Sequence, residues 1–238
     1  MAVTYDTDVE VGGTNVTSLT VSITVANNPD RYLIVGVAAW DAVSAESAIS
    51  SVTFNGSGTG WSQIITEVGP GALLDRSSLW GKANPDAVTA SVVVTVGGTC
   101  SELGVSVLSA YNVNQTTSLG TAVSAEALSS APSVVVTAAT GDLVYDAVYA
   151  GGVLPTATVG AGQTVRANIT IHAQNNSRLL ASTEPGDPTV TSSWTLADTS
   201  LEWVQTAVAL KAALDLALVR AAVGQLTASG GIVGTIYR

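Results

Sequence analysis

The chain has few of the side chains on which enzyme chemistry usually depends. Its 238 residues include one histidine, His172, and one cysteine, Cys100. A lone cysteine cannot form an internal disulfide, and one His with one Cys cannot supply the ligands of a typical structural zinc site. A catalytic thiolate at Cys100 would need a nearby base, and His172 is the only histidine that could serve. We therefore interpret Cys100, which is flanked by turn-forming residues, as a semi-buried structural thiol.

Charge is also scarce, and basic charge most of all. Eight Lys and Arg stand against 18 Asp and Glu, which gives a net charge of −10. Nucleic-acid binding depends on basic surfaces, so this balance argues against nucleic acid and against anionic membranes as partners. Charged residues make up 11% of the chain, whereas soluble domains average about 25%. A surface of Ser, Thr, Asn, Gly and Ala desolvates easily, which favours assembly into something larger.

Long apolar runs are missing as well. No run of about 18 apolar residues occurs, so the sequence predicts no transmembrane helix. The first eight residues have neither a basic nor an apolar region, so no classical signal peptide is expected. We expect the chain to act where it is made or to leave the cell by another route, such as inside a virus particle.

Alternation of apolar and small polar residues fills most of the chain. Leu19–Val25 and Val92–Val96 show the period of two that is typical of half-buried strands. Turn-forming pairs of Gly, Pro and Asn separate strand-length runs, as in a sandwich or barrel. The predicted strands cover approximately 17–25, 31–40, 49–55, 62–68, 76–82, 90–96, 103–111, 118–126, 133–138, 142–150, 163–171, 178–184, 189–195 and 201–210. The sequence therefore predicts an all-β, jelly-roll-like antiparallel β-sandwich over residues 1–211.

The pattern changes near residue 210. Residues 210–226 are rich in Ala and Leu with helical spacing, and residues 232–237 resemble a short strand. We predict a C-terminal arm over 212–238, made of a helix and a strand, that latches onto a neighbouring subunit. The alternative is that both pack back on the sandwich. The candidate assembly residues are Leu214, Leu218, Ile232, Ile236 and Tyr237.

Two tryptophans are candidates for contact with a glycan. Trp61 and Trp80 lie in or beside predicted strands and near Gly-rich loops. An aromatic ring exposed on a strand can stack on a sugar, but strand-borne Trp residues also fill cores at sheet edges. Both interpretations remain open from the sequence.

Catalytic motifs are not apparent. The sequence contains no Gly-x-Ser-x-Gly elbow, P-loop or dinucleotide fingerprint, and its carboxylates are scattered. A Ser–His–Asp relay would need a serine and a carboxylate to lie beside His172 in the fold. The sequence neither shows nor forbids this arrangement. We predict that the chain is not an enzyme; a β-sandwich hydrolase or lyase is the least favoured hypothesis.

We expect no cofactor, with a structural calcium ion as the one open option. Calcium binds oxygen ligands, and three groups of acidic residues lie in extended or loop segments. They are Asp6 with Asp8 and Glu10, Asp41 with Glu46, and Glu184 with Asp187. No EF-hand or nonapeptide calcium motif accompanies them, so a solvated acidic edge is the alternative.

Several stretches resemble a family of β-sandwich domains found in tailed-phage virion proteins and bacterial surface or adhesion proteins. The resemblance covers approximately residues 17–211. The stretches that carry it are RYLIVGV from Arg31, SVTFNG from Ser51, SLWGKANP from Ser78, VNQTTSLGT from Val113, TGDLV from Thr140, GAGQT from Gly160 and ASTEPG from Ala181. The resemblance implies a structural or adhesive module with no catalytic residues to carry over. The arm from 212 lies outside it.

The hypothesis is a non-enzymatic structural protein of a phage particle, either a capsid decoration protein or a tail or fibre component. It would be located in the virion and act as a homo-oligomer, with other virion proteins and copies of itself as partners. The alternative is a carbohydrate-binding or adhesion module on a cell or virion surface. That alternative implies an extracellular or cell-surface location and a host-surface glycan as partner, contacted through Trp61 and Trp80.

Overall fold

A computed structural model describes residues 1–69, 74–152, 157–172, 177–197 and 202–214. One short helix, α1 (Ser44–Ser47), accompanies the strands in this part of the chain. The strands are β1 (Thr4–Thr24), β2 (Tyr32–Trp40), β3 (Ile49–Phe54), β4 (Trp61–Val68), β5 (Arg76–Ala83), β6 (Thr89–Tyr111), β7 (Val123–Leu128), β8 (Ser133–Val136), β9 (Leu143–Ala150), β10 (Ala157–Val159), β11 (Thr164–His172), β12 (Ser177–Pro185), β13 (Val190–Leu196) and β14 (Glu202–Leu210).

Two antiparallel sheets form the centre of the molecule. The six-stranded sheet has the order β1-β6-β2-β5-β4, with β3 also paired to β6, and the five-stranded sheet has the order β11-β12-β9-β14-β7. Their facing sides bury a shared core that includes Ile34, Leu79, Leu108, Tyr145 and Leu179. The predicted all-β antiparallel sandwich is confirmed.

Each central sheet carries a further β layer on its outer face. A three-stranded sheet of order β10-β13-β8 covers the five-stranded sheet, and Trp194 and Leu196 pack there against Val148 and Leu180. On the other side, the second half of β1, the first half of β6 and β3 curl over the six-stranded sheet. These coverings explain why strands such as β2 and β9 are apolar on both faces.

Close approach of the two central sheets requires glycine in the middle of β2. A Cβ atom on Gly36 would lie 2.7 Å from the Cβ of Ala147 and 2.8 Å from the hydroxyl of Tyr145. No side chain fits at those distances, so this glycine is set by packing between the sheets rather than by a turn.

The strand boundaries differ from the prediction at a few places. The predicted strands 90–96 and 103–111 are one strand, β6, because Gly97 continues the strand beneath α1 instead of turning it. Position 97 lacks room for a side chain, since the Ala45 carbonyl lies against it. In addition, β1 begins at residue 4, the predicted strand 118–126 is β7 at 123–128, and β10 and α1 were not predicted.

The predicted helix from residue 210 is wrong for its first five residues. Leu210 ends β14 opposite Leu143, and the amide of Ala212 donates to Asp142 Oδ1 at 2.8 Å. Ala212 also bridges to Val113. Strand pairing overrides the local helix propensity of these residues. The remainder of the predicted helix and strand, from residue 215, lies outside the described residues.

No helix in the described part of the chain combines the length and apolar character needed to cross a membrane.

Candidate functional site

Three carboxyl groups and a tyrosine meet at one end of the space between the two central sheets. Asp75 precedes β5, Glu102 lies on β6, Tyr149 lies near the end of β9, and Glu202 begins β14. Asp75, Glu102 and Tyr149 are all buried. This carboxyl cluster brings together residues 27 to 127 positions apart in the chain.

Asp75 lies in an environment that strongly disfavours an ionised carboxyl group. Its side chain is fully buried, and neither carboxyl oxygen has a hydrogen-bond partner. Burial, followed by the neighbouring carboxyl groups of Glu202 and Glu102, raises the pKa of Asp75 to about 9. Asp75 is therefore protonated at neutral pH.

Arg76 does not neutralise the carboxyl cluster although it follows Asp75 in the chain. Successive side chains of a strand point to opposite faces. The Arg76 guanidinium lies on the outer face, where Nη2 donates to the carbonyl and hydroxyl oxygens of Ser44 at 3.3 Å and Nη1 donates to Thr66 Oγ1 at 3.4 Å. The carboxyl group of Asp75 is therefore neutralised by its own proton rather than by a positively charged neighbour.

Tyr149 connects the carboxyl cluster across the two sheets. Its hydroxyl donates to Glu102 Oε2 at 2.8 Å in a buried hydrogen bond. Burial and the nearby carboxyl groups of Glu102, Asp75 and Glu202 hold the pKa of Tyr149 well above its usual value. Tyr149 is therefore a hydrogen-bond donor rather than a base.

The described residues contain no group of three or more His, Cys, Asp or Glu side chains arranged to hold a metal ion. The candidate calcium residues of the N-terminal strand have separate protein partners. Asp6 Oδ2 accepts from Ala26 N and Ser109 Oγ, both at 3.1 Å. Asp8 Oδ1 lies 3.4 Å from Nη1 of Arg166.

In each of the other two candidate calcium pairs, the two members lie in different surroundings. Asp41 accepts hydrogen bonds from Val43 N at 2.8 Å and from Ser101 Oγ at 2.6 Å, which fixes a local turn. Its predicted partner Glu46 lies in α1. Glu184 is half-buried with Oε2 unpaired, whereas Asp187 is exposed.

His172 and Cys100 are placed by the strands that carry them. His172 ends β11 opposite Ser177, but the buried hydroxyl of Ser177 has no hydrogen-bond partner and so is not bonded to the imidazole. Cys100 is fully buried in the outer core, and its Sγ contacts the Glu102 carbonyl at 3.1 Å. Burial raises the pKa of Cys100 to about 11, so it is a thiol at neutral pH.

A further buried carboxyl group, Asp146, holds the three-stranded sheet on the five-stranded sheet. Oδ1 accepts from Ser182 N and Oγ at 2.6 Å, and Oδ2 accepts from Trp194 Nε1 at 2.8 Å and Gln205 Nε2 at 2.9 Å. Burial raises the pKa of Asp146, against the opposing effect of these donors. This network is architectural, because both Asp146 oxygens are bonded to donors from the strands around them.

Trp61 and Trp80 lie on neighbouring strands of the outer face, where both pack against the outer core. Each indole is half-buried. The Nε1 atoms are buried without hydrogen-bond partners, so only the exposed ring surfaces could contact a sugar. The glycan-contact prediction stays a prediction.

Of the five candidate assembly residues, the described part of the chain includes only Leu214. Its side chain is 71% exposed, and it is the last described residue. The others, Leu218, Ile232, Ile236 and Tyr237, lie outside the described residues.

A border without charged side chains runs from the end of β7 along β8. Glu126 is the only charged residue between Val113 and Gly141. Two large apolar side chains project from this border, Leu128 with 60% of its surface exposed and Val135 with 56%. The uncharged border, defined as Ala127–Val136, is therefore a described surface suited to contact another chain.

Sequence reasoning missed both the carboxyl cluster and the uncharged border. The members of the cluster come from four separate strands or strand ends, so no local spacing signals them. The border did carry a signal, namely 29 residues with a single charge, but the sequence alone does not show that β7 and β8 are both edge strands.

The fold and these sites define an all-β sandwich of four β layers. No protein-family model matches the chain, and no curated protein matches it.

Proposed function

We propose that the chain is a non-enzymatic structural protein of a phage particle that assembles with copies of itself. The observation that carries the proposal is the uncharged border. Two large apolar side chains are exposed there, Leu128 at the end of β7 and Val135 on β8. Isolated domains rarely leave a long, uncharged strand edge open, because such edges pair with other chains. Net charge far from zero, here −10, keeps separate chains soluble until specific contacts form.

The buried polar groups support an architectural role. Asp146 binds donors from three strands, and Tyr149 with Glu102 joins the two central sheets. These groups stabilise layers and are closed to solvent, whereas general acid–base catalysis needs carboxyl groups within reach of a substrate. The virion setting rests on the resemblance of residues 17–211 to phage virion domains.

The C-terminal arm is the predicted contact between subunits, through Leu214, Leu218, Ile232, Ile236 and Tyr237. Truncation after Leu214 tests this role, because it preserves β14 and the bridge between Ala212 and Val113. We expect the truncated chain to keep the far-UV circular dichroism of a β protein and to lose assembly in light scattering. A folded, truncated chain that assembles as fully as the intact one would contradict the role of the arm.

The alternative, a carbohydrate-binding module, depends on the exposed ring surfaces of Trp61 and Trp80. Ring stacking on a sugar changes indole fluorescence. A glycan panel that leaves the intrinsic fluorescence unchanged would argue against this alternative, while a shift that is lost in Trp80→Leu would favour it over assembly.

A further inference from the structure

We propose that the sequence Ile232–Tyr237 of one copy adds as a strand to the free edge of β8 in a neighbouring copy. This inference rests on the proposed function, since it names the surface that receives the C-terminal arm. It identifies the partner as a second copy of this chain and the mode as strand addition to a sheet edge.

The free edge of β8 has unpaired backbone groups directed outward. Trp194 N donates to Pro132 O at 2.9 Å and Leu196 N donates to Ser130 O at 2.8 Å. Hydrogen-bonded and non-hydrogen-bonded pairs alternate in an antiparallel ladder. Val135, opposite Thr191, is therefore in a non-hydrogen-bonded pair. Its N–H and C=O point away from β13, toward the open side.

Several other sheet edges in the described part of the chain are covered or short. β1 and β11 cover each other through Arg166, whose guanidinium contacts Asp8 and stacks 3.7 Å from the ring centroid of Tyr5. On the opposite side, β4 and β7 meet where Ser124 Oγ donates to Glu67 Oε2 at 2.5 Å. β10 has three residues. β3 (Ile49–Phe54) is also an edge strand, but its exposed residues Ser50 and Ser51 are polar. The edge of β8, extended by the pairing of residues 130–132, instead presents the exposed apolar side chain of Val135.

The chain leaves the described domain beside this edge. Lys211 lines a cavity of about 280 Å³ together with Thr121 and with Thr137, the residue that follows β8. Twenty-four residues follow Leu214 in the sequence, and an extended chain of that length reaches up to about 80 Å. That reach is ample for the segment to contact a neighbouring copy.

The composition of the segment matches the edge. Ile232–Tyr237 reads Ile-Val-Gly-Thr-Ile-Tyr, which is apolar, β-prone and uncharged. The edge offers exposed Val135 and, beyond Pro132, exposed Leu128. The segment carries no charge, and the charged residue nearest to the edge in sequence is the exposed Glu126, two residues before Leu128. Strand addition would bury apolar side chains on both partners.

The direct test uses the intact chain with two substitutions at one edge position. Val135→Pro removes the outward N–H but leaves the β8–β13 ladder intact, because proline is tolerated at a strand edge. Val135→Thr keeps the N–H and the strand propensity, and serves as the matched control. We expect Val135→Pro to raise the protein concentration for half-assembly by about tenfold or more, and Val135→Thr to leave it nearly unchanged. Equal assembly of Val135→Pro and the unsubstituted chain would overturn the inference.

A mixing experiment establishes that the strand comes from another copy. Val135→Pro blocks the edge but retains the segment, and Ile236→Asp blocks the segment but retains the edge. Each variant alone should fail to assemble, and a mixture should form one-to-one pairs in analytical ultracentrifugation. Normal assembly by Ile236→Asp alone would point to edge-to-edge pairing of two β8 strands and would overturn the inference.

Hydrogen exchange keeps the test decisive if Val135→Pro folds poorly. In the unsubstituted chain, the amide of Val135 should become protected as concentration rises, while the amide of exposed Val43 should not. If the intact chain remains monomeric, the proposed function fails. If it assembles without protection of Val135, only this inference fails.

Discussion

The hydroxyl of Tyr149 on the five-stranded sheet donates a hydrogen bond of 2.8 Å to Oε2 of Glu102 on the six-stranded sheet. The bond is buried and lies beside Asp75, whose carboxyl group has no hydrogen-bond donor. The two sheets are thus connected by polar contacts at the end where the carboxyl groups gather. Such contacts contribute to stability only while both partners are present.

Replacing Tyr149 with Phe should destabilise the fold. The variant removes the donor and leaves the buried carboxyl group of Glu102 with one partner fewer. We expect the free energy of unfolding to fall by about 1–3 kcal/mol, as for a buried polar group that loses a hydrogen bond. Urea denaturation measures the change, with Tyr111→Phe, at the half-buried end of β6, as control. An equal effect of the two variants would contradict the importance of this bond.

Stability should decrease as pH rises, because of Asp75. Its pKa is about 9 in the folded chain and about 3.9 in the unfolded chain. The folded state therefore binds more protons between these values, and its stability is full below about pH 4 and falls as pH rises toward 9. The slope from this group is at most about 1.4 kcal/mol per pH unit.

The variant Asp75→Asn removes this titration while keeping the shape of the protonated carboxyl group. Relative to the unsubstituted chain, it should gain stability at pH 8.5 and change little at pH 4. Urea midpoints at both pH values measure the difference, and Asp86→Asn on the surface is the control. Parallel pH profiles for the unsubstituted chain and Asp75→Asn would show that Asp75 is ionised in the fold.

Gly36→Ala should destabilise the fold by forcing the two central sheets apart. The added methyl group would lie 2.7 Å from the Cβ of Ala147, and overpacking of this kind costs about 1–3 kcal/mol. Gly58→Ala is the matched control, because its nearest neighbours are 3.8 and 3.9 Å away. Thermal unfolding that is the same for both variants would count against the close packing described for β2.

Asp146→Ala should loosen the three-stranded sheet. The change leaves the donors of Ser182, Trp194 and Gln205 without their acceptor in a buried site. We expect a loss of about 3 kcal/mol or more and faster hydrogen exchange in β13 than in β2. Asp187→Ala, on the surface, should have no such effect. Uniform exchange across both strands in Asp146→Ala would mean that the network does not hold this layer.

Most strands could be predicted from alternation and turn residues, because burial of one face repeats every second residue. The exception at Gly97 is instructive. A Gly-Gly pair is typical of a turn, but here the absence of a side chain lets β6 pass beneath α1. The sequence shows that residue 97 has no side chain, but only the packing of α1 against β6 explains why a glycine is needed there.

The carboxyl cluster could not be predicted, because its members are adjacent only after β5, β6, β9 and β14 are placed in two facing sheets. The helix predicted from Leu210 was wrong over the described residues for a related reason. Ala and Leu favour a helix in isolation, but Leu210 pairs with Leu143 and the amide of Ala212 finds an acceptor in Asp142. At Leu210 and Ala212, partners distant in sequence outweighed the local helix propensity.

The mass of the intact chain in solution tests the central claim most directly. Sedimentation equilibrium over a wide concentration range should give a defined multiple of the 23.9 kDa chain mass, and truncation after Leu214 should reduce it to a single folded chain. An intact chain that remains at 23.9 kDa at every concentration would contradict the account of this protein as a self-assembling structural component.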